Sequence, residues 1–276
     1  MAAGIEKTEG ERKDDSLDKI YACIDNNKSF LLDAGAGSGK TWSLIKTLEY
    51  IIENKDTEYA SLAKKIGCIT YTNVAVDEIK DRIGENSLLI VNTIHDFFWD
   101  IIVKYQQELK DVIIDLYEVD IESLKNRKIQ YKEFKIINDG IISHNEVIKL
   151  SWEMFFRYPK LRRIFMDRFP IVLVDEYQDT DENIVNIFLE CLSELEDKKQ
   201  RKDFMVGFFG DFMQSIYDKG IGSIDESDVF EHIPKETNYR SSEQVINLLN
   251  TIREDINQYP AGKNKDIEGS LSFLYL

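Results

Sequence analysis

The sequence predicts an α/β fold in which helices flank a mainly parallel sheet. Short apolar runs alternate with amphipathic stretches along most of the 276 residues, a rhythm typical of strand–helix–strand units. One apolar run leads into a glycine-rich segment, and another ends in two adjacent carboxylates. Both features are common where a parallel sheet binds its ligand, at the carboxyl ends of the strands.

The elements follow from the spacing of the apolar residues. Strands are predicted at 30–33, 66–71, 88–91, 171–174 and 205–209. Helices are predicted at 41–52, 74–83, 93–105, 181–195 and 242–252. Residues 96–169 keep helical spacing and contain no run strong enough to join the sheet, so we predict a helical insertion there. It interrupts an α/β domain of residues 16–95 and 170–262, and the charged residues 1–15 are predicted to form a disordered tail.

The glycine-rich segment at residues 34–41 is the first candidate site. It reads Ala-Gly-Ala-Gly-Ser-Gly-Lys-Thr, between a predicted strand and a predicted helix. Such a loop lets backbone N–H groups close around a polyphosphate at the positive end of a helix. Lys40 can then reach the β- and γ-phosphates, and the Thr41 hydroxyl can hold Mg²⁺. An ordinary glycine-rich turn is the alternative, which the flanking elements disfavour. The predicted nucleotide-binding residues are Ala34, Gly35, Ala36, Gly37, Ser38, Gly39, Lys40 and Thr41.

The second candidate site is the pair of carboxylates after the apolar run 171–174. Four consecutive apolar residues suit a strand buried on both faces of a parallel sheet. Asp175 is predicted to bind Mg²⁺, and Glu176 to be the base that activates the water attacking the γ-phosphate. A solvated helix start is the alternative. The glycine-rich segment in the same chain favours the catalytic interpretation.

Together with two later segments, these sites resemble those of a known family. Residues 210–217 read Gly-Asp-Phe-Met-Gln-Ser-Ile-Tyr, and residues 238–242 read Asn-Tyr-Arg-Ser-Ser. The combination resembles a superfamily 1 DNA helicase of the UvrD/Rep type, whose two DNA-contact motifs resemble residues 70–75 and 93–98. The resemblance implies a P-loop NTPase (RecA-like) domain, an accessory subdomain at the insertion, and the start of a second, otherwise missing RecA-like domain at 263–276.

The resemblance also implies roles for further residues. Gln214 is expected to contact the γ-phosphate or the attacking water. Tyr239 is expected to pack on adenine, and Arg240 to act as an arginine finger, which completes a catalytic set of Lys40, Glu176, Gln214 and Arg240. Spacing alone makes His95 an ordinary residue at a helix N-terminus, whereas the resemblance makes it a DNA contact. The expected contacts to DNA are Tyr71, Thr72, Asn73, Thr93, His95 and Tyr217.

Three departures from the family pattern qualify these expectations. The stretch 18–22 has Lys19 and no glutamine to read adenine, so selectivity for ATP is open. Residues 218–221 read Asp-Lys-Gly-Ile where the family has Gly-aromatic-Arg-Gly, so one stacking ring is lost. The later motifs, with their second arginine finger, are absent from the chain. We therefore expect nucleotide binding, slow hydrolysis and no unaided unwinding.

The net charge of −16 is unfavourable for binding a phosphate backbone. Positive charge is concentrated in two groups of residues, which are called the first and second basic clusters below. Each cluster could be an ordinary solvated surface or a contact to DNA, and the sequence leaves both alternatives open. The three isolated cysteines and the lack of a long apolar stretch predict a cytoplasmic protein without a membrane contact. The first cluster comprises Lys125, Arg127, Lys128, Lys132 and Lys135, and the second Arg157, Lys160, Arg162, Arg163 and Arg168.

The function predicted from the sequence is that of an N-terminal helicase domain which binds and hydrolyses ATP with Mg²⁺. In the complete enzyme, hydrolysis would drive 3′-to-5′ translocation on single-stranded DNA. The expected partners are single-stranded DNA and a second RecA-like domain or another protein chain. One alternative is a nucleotide-switched module that regulates a nuclease or repair complex without motor activity. A more distant alternative is a nucleoside or small-molecule kinase with the same phosphate loop.

Overall fold

The computed structural model describes residues 14–197, 204–214, 229–253, 255–270 and 272. Six of its strands form one sheet in which every neighbouring pair is parallel, in the order β3-β2-β6-β7-β1-β8. Two further two-stranded pairs lie outside it, β4 with β5 and β9 with β10. The strands are β1 (Phe30–Ala34), β2 (Ile66–Thr70), β3 (Leu89–Thr93), β4 (Gln130–Tyr131), β5 (Ile141–Ile142), β6 (Ile171–Asp175), β7 (Met205–Gly210), β8 (Glu231–Lys235), β9 (Thr237–Asn238) and β10 (Tyr259–Pro260).

Helices cover both faces of this sheet, which is why the central strands β2, β6 and β7 are buried along their whole length. Local signals start several of them. Thr72 and Thr93 cap α3 and α4, Ser143 forms a capping box with Glu146 at α7, and Pro159 opens α8. The helices are α1 (Ser16–Asp25), α2 (Lys40–Ser61), α3 (Asn73–Ile83), α4 (Ile94–Ile102), α5 (Gln106–Tyr117), α6 (Ile121–Leu124), α7 (His144–Arg157), α8 (Pro159–Arg168), α9 (Glu182–Asp197) and α10 (Glu243–Ile252).

Each face of the sheet has its own apolar core. On one face α1, α2 and α3 bury Ile20, Leu48 and Ile79 against strand residues such as Leu173. On the other face, helices of the insertion and α9 form a core rich in phenylalanine that reaches the sheet at Val174. The rings on that face include Phe97, Phe98, Phe155, Phe165, Phe188 and Phe208. The insertion therefore packs directly on the sheet that carries the candidate sites.

The predicted fold class is confirmed, and the largest differences from the predicted elements concern β8, α1 and α2. Strand β8 was not predicted, because it contains Pro234 and alternates exposed with buried residues, as an edge strand does. Helix α1 was not predicted either. Helix α2 runs nine residues beyond the predicted end at 52, to Ser61, because no glycine or proline stops it and Tyr59 packs back into the core.

The register of the strands places the candidate sites at one edge of the sheet. Asp33 in β1 pairs with Gly210 in β7, and Asp175 in β6 pairs with Phe209 in β7. Three segments therefore leave the sheet side by side. They are the loop after β1, the end of β6 with Asp175 and Glu176, and the turn after β7 with Asp211. Of the predicted start of a second domain, residues 263–270 and 272 are described, and they form no strand. Most of the predicted tail lies outside the described residues.

Candidate nucleotide site and nucleic-acid face

The glycine-rich loop wraps around the N-terminus of α2. Gly37 and Gly39 have φ values of 80° and 84°, in the left-handed region that favours glycine. A Cβ atom on Gly37 would lie 2.8 Å from both the Cβ of Arg240 and an oxygen of Asn238. A side chain here would thus meet the segment 238–240, whose Tyr239 N–H donates to the Gly37 carbonyl at 2.9 Å. Asn238 also donates to the Ala36 carbonyl at 2.8 Å, so the two motifs brace each other.

One pocket of about 430 Å³ brings most of the predicted nucleotide residues together. Residues from five separate segments line it, because the loop, α3, the ends of β6 and β7 and residues 238–240 meet at one edge of the sheet. Its lining is Gly35, Ala36, Gly37, Gly39, Lys40, Thr41, Trp42, Glu78, Arg82, Glu176, Gln214 and Arg240. Ala34 and Ser38 are fully buried beneath it. A polyphosphate fits this combination of loop backbone and three cationic side chains, Lys40, Arg82 and Arg240.

Glu176 leaves the strand in a strained conformation. Its φ and ψ of 49° and 50° lie in the left-handed region, which non-glycine residues rarely adopt. Its carboxylate accepts a hydrogen bond from the Gln178 side chain at 2.7 Å and lies 3.3 Å from the Lys40 ammonium. Because 39% of the Glu176 side chain is exposed, it can be reached from the pocket. Lys40 and Glu176 thus form an ion pair within the pocket.

Asp175 is a buried carboxylate suited to a cation. Its Oδ1 atom has no hydrogen-bond partner among the described residues. Burial, and then the neighbouring charge of Glu176, raise the pKa of Asp175 to about 7. A second pocket, of about 390 Å³, places Asp175 beside Thr41. Mg²⁺ is usually held by one or two protein oxygens together with substrate phosphates, so these two residues fit it without a larger cluster of protein ligands.

Gln214 reaches the nucleotide pocket from a short turn after β7. Its side-chain amide donates to the Asp211 carboxylate at 2.6 Å. The backbone N–H of Asp211 in turn donates to the Gln178 side chain at 3.0 Å, and Gln178 binds Glu176. A chain of side chains therefore joins the end of β7 to the end of β6.

Two exposed rings stand at the mouth of the pocket. The exposed fractions of Tyr239 and Trp42 are 43% and 45%. The ammonium of Lys235, which is fully buried, lies 5.5 Å from the centre of the Trp42 ring and 2.8 Å from the Asp14 carboxylate. Asp14 also accepts a hydrogen bond from the Tyr239 hydroxyl at 3.3 Å. Burial by itself raises the pKa of Asp14, but the hydrogen bonds from Lys235 and Ser16 outweigh it and hold the pKa well below its usual value.

The predicted DNA contacts fall into two groups. Tyr71 and His95 line one pocket of about 680 Å³, to which α7 of the insertion contributes His144 and Trp152. His95 stacks on His144 with ring centres 3.3 Å apart. Burial, and then His144, lower the pKa of His95 to about 4. Tyr71 is 40% exposed, as a stacking ring must be.

The remaining predicted DNA contacts do not line this pocket, and two of them cap helices. Thr72 caps α3 by accepting the Ala75 N–H at 3.2 Å, and Asn73 is the first residue of that helix and is exposed. Thr93 is buried and caps α4, where it also donates to the Asp96 carboxylate at 2.9 Å. Tyr217 lies outside the described residues.

Much of the charge in the two basic clusters is paired inside the protein. Arg162 is buried and binds Glu194, which also binds Arg163. In the first basic cluster Lys135 binds Glu146 at 2.7 Å. Such ion pairs reduce the positive charge that these clusters offer to a phosphate backbone.

Comparison with protein families decides the assignment. The family described as “AAA domain” matches residues 19–219. The chain belongs to the AAA domain family. The matched range contains the glycine-rich loop, both carboxylates and Gln214, whereas Tyr239 and Arg240 follow it.

This AAA domain is similar in sequence to a Gabija protein and to a DNA helicase. Gabija protein GajB of Bacillus cereus (strain HuB5-5) is 28% identical, over 87% of this chain and 49% of its own length. ATP-dependent DNA helicase PcrA of Staphylococcus aureus (strain Mu50 / ATCC 700699) is 25% identical, over 84% and 39%. The crystal structure of the Pif1 helicase from Candida albicans superposes with a TM-score of 0.46 and 14% identity, over 90% of this chain and 45% of that one. The chain thus spans about half the length of these proteins or less.

These findings confirm the prediction of a superfamily 1 helicase RecA-like domain and support a helicase-like ATPase. Within the described part of the AAA domain, no helix is both long enough and apolar enough to cross a bilayer. Several site residues were missed from the sequence. Trp42 directly follows the glycine-rich segment and Gln178 lies two residues after Glu176, and that proximity was the available signal. Asp14 and Lys235 gave none, because isolated charges of this kind are usually solvated.

Proposed function

We propose that the chain is the ATP-binding and hydrolysing part of a UvrD/Rep-like DNA helicase. The observation that carries this proposal is the shared pocket of five predicted groups, Lys40, Thr41, Glu176, Gln214 and Arg240. They come from four segments spread over 201 positions, so a purely local turn does not account for their meeting. A kinase with the same loop needs neither Gln214 nor Arg240.

Residues 16–95 and 170–262 are proposed to form the RecA-like ATP-binding domain, with 96–169 as its accessory insertion. Residues 263–276 begin a second RecA-like domain in this proposal. Because the chain spans about half of its relatives, a second domain or a partner chain would supply the other wall of the nucleotide cleft. The activity of the whole enzyme belongs to that complete assembly.

Hydrolysis would begin with an exchange of partners at Lys40. An incoming γ-phosphate offers Lys40 several anionic oxygens, which compete with the single oxygen of Glu176 at 3.3 Å. Release from Lys40 leaves Glu176 able to accept a proton from the attacking water. Gln214 would orient that water, and the Arg240 guanidinium would neutralise charge on the transferred phosphoryl group. Nucleotide entry thus converts a resting ion pair into a general base.

Mg²⁺ would be held by Thr41 and Asp175 together with phosphate oxygens. The buried oxygen of Asp175 that lacks a partner among the described residues supports this placement. When bound, the ion neutralises charge on the β- and γ-phosphates. Tyr239 and Trp42 would stack on the base. No glutamine reads the edge of adenine, and we propose that selectivity among nucleotides is correspondingly modest.

Single-stranded DNA would bind across the face that contains Tyr71 and His95. Tyr71 borders both the pocket of Asp175 and the pocket of His95. A ring in this position can respond to the nucleotide and stack on a base, which is a route from hydrolysis to movement along the strand. Thr72, Asn73, Thr93 and Tyr217 are proposed to complete the contacts. The resemblance to the UvrD/Rep type supplies the 3′-to-5′ direction.

The second candidate function is a nucleotide-switched module that regulates a nuclease or repair complex. The pairing of Glu176 with both Lys40 and Gln178 favours it. Nucleotide binding alone would rearrange this linkage between β6 and β7, so a signal could be sent without turnover.

ATP turnover with and without single-stranded DNA tests the proposal. We expect Mg²⁺-dependent turnover that DNA stimulates and that Glu176→Gln abolishes. Nucleotide-dependent DNA binding without turnover would support the switched module instead. Transfer of phosphate to a small acceptor would identify a kinase and reject both.

A further inference from the structure

The Asp211 carboxylate is held by four donors, and one side chain provides two of them. Arg253 donates to both oxygens of Asp211, at 2.9 and 3.0 Å. The Met213 backbone N–H donates to Oδ1 at 3.2 Å, and the Gln214 side chain to Oδ2 at 2.6 Å. Asp211 is only 1% exposed, so its charge depends on these partners. Among them, the Arg253 guanidinium is the cation.

Arg253 comes from the C-terminus of α10, outside every motif that the sequence singles out. Its side chain is 7% exposed. The guanidinium lies against the glycine-rich loop, since a Cβ on Gly35 would be 2.7 Å from its Nη1 atom. On its other side Arg253 donates to the Asp255 carboxylate, through Nε at 3.0 Å. One side chain therefore contacts the phosphate loop, the end of β7 and the segment after α10.

The segment after α10 is itself firmly placed. Gln258 exchanges two backbone hydrogen bonds with the Asn250 side chain, at 2.7 and 2.8 Å. Its side chain accepts a hydrogen bond from Asn238 at 3.1 Å. Asn238 also braces the glycine-rich loop, as described above. Hydrogen bonds thus tie Gln258, in the segment that follows Arg253, both to α10 and to the motif at Asn238.

The contact with Asp211 determines which way the Gln214 amide faces. A carboxylate can only accept hydrogen bonds, so the nitrogen of the amide must be the atom that points to Asp211. The carbonyl oxygen is then at the other end of the amide, where it can accept a hydrogen bond from a water beside the γ-phosphate. If the Asp211 carboxylate moved, the Gln214 amide would no longer be held with its nitrogen towards Asp211 and its oxygen away from it.

We propose that Arg253 is a positioning residue of the nucleotide site, which fixes Asp211 and through it the Gln214 amide. The inference rests on the proposed ATPase function and deepens it. Arg253 does not contact the nucleotide in this account. It orients the Gln214 amide, which is the group proposed to distinguish a nucleotide with a γ-phosphate from one without. Lysine cannot replace it, because only a guanidinium can bind both oxygens of Asp211 and also reach Asp255.

The test measures how strongly the protein prefers a non-hydrolysable ATP analogue to ADP, by calorimetric titration with Mg²⁺. This preference requires no turnover and is the ratio of two dissociation constants. Gln214→Ala is expected to lower it about tenfold, the worth of one hydrogen bond to a charged or polarised group. Arg253→Gln is expected to lower it by the same factor, with ADP affinity changed less than about twofold. The double variant should match either single variant.

Two further variants separate positioning from simple destabilisation. Arg253→Lys keeps the charge in a smaller, non-bidentate group, and is expected to lose most of the preference while staying folded. Arg162→Gln removes another buried arginine, which lies in the insertion and binds Glu194 of α9. This variant should leave the preference unchanged. Thermal melting of every variant verifies that the titrations use folded protein.

Several outcomes would overturn the inference. They are an unchanged preference in both Arg253 variants, an equal loss of affinity for both nucleotides, and a double variant whose loss is the product of the single losses. Each would mean that Arg253 acts independently of Gln214. If folded wild-type protein binds neither nucleotide, the proposed function fails as well. Binding by the wild type with an unchanged preference in the Arg253 variants rejects the positioning role alone.

Discussion

The Lys40 ammonium lies 3.3 Å from the Glu176 carboxylate, so the lysine proposed to bind phosphate and the candidate base form an ion pair. The two residues come from different strand ends, after β1 and after β6. Glu176 reaches this position through a left-handed backbone conformation, which places its side chain in the pocket and leaves that of Asp175 buried. In the proposed mechanism, a phosphate that binds Lys40 would release Glu176 to act as the base.

Replacing Glu176 by Gln should separate nucleotide binding from hydrolysis. The amide removes the base, and the expected loss in turnover is at least about 100-fold, the low end for general base catalysis. Affinity for ATP should be unchanged or higher, because Lys40 no longer has an anionic partner to leave. Parallel turnover and titration measurements test this. Equal losses in turnover and affinity would contradict the assigned role.

Replacing Asp14 by Ala should destabilise the fold, because it leaves the fully buried Lys235 without a counter-ion. Breaking one partner of a buried pair costs about 3–5 kcal/mol. Denaturant unfolding measures the change in free energy of unfolding. Asp15→Ala is the matched control, since Asp15 is exposed and its pair with Lys19 contributes less than about 1 kcal/mol. Similar losses in both variants would show that the buried pair is not structural.

Removing the Tyr239 ring should weaken nucleotide binding. Stacking of a base on an aromatic side chain contributes about 1–3 kcal/mol, so Tyr239→Ala should raise the dissociation constant by about tenfold. Tyr239→Phe keeps the ring and loses the hydrogen bonds of the hydroxyl with Asp14 and Thr237, and it should bind nearly as well as the wild type. If the two variants bind equally weakly, the hydroxyl and not the ring is the important group.

His95 should make stability depend on pH in a defined window. Its pKa is lowered to about 4 in the folded protein, below the ordinary value of 6.5. The unfolded chain therefore binds the extra proton first, and the contribution of His95 is fully present above pH 6.5 and lost as the pH falls to about 4. Asp175, with its raised pKa, contributes the opposite slope over much of this range. The measurement is thus the difference between wild type and His95→Gln, which should be largest near neutral pH. A difference that does not vary between pH 4 and 6.5 would contradict the assignment.

The parts of this protein that sequence patterns predicted are those with local signals. Strand β6 has four consecutive apolar residues, and the loop before Lys40 has three alternating glycines between a strand and a helix. Edge strand β8 was missed because half of it faces solvent and Pro234 breaks the expected pattern. An edge strand needs neither a long apolar run nor every backbone donor, so its sequence resembles a loop.

Ion pairs between residues far apart in the chain could not be predicted from the sequence either. Asp14 and Lys235 are 221 positions apart, and Arg253 and Asp211 are 42 apart. In the sequence each looks like an ordinary surface charge. Only the parallel order of β7, β1 and β8 brings their segments together and buries them. Tertiary topology, and not local periodicity, determines these partners.

The most direct test of the central claim is a calorimetric titration of the folded chain with Mg²⁺-ATP, beside Lys40→Ala. We predict saturable binding at a single site in the wild type. Affinity should fall at least about tenfold in the variant, since Lys40 supplies a charged contact to the phosphates. Absence of binding by folded wild-type protein, or binding that does not depend on Lys40, would contradict the account.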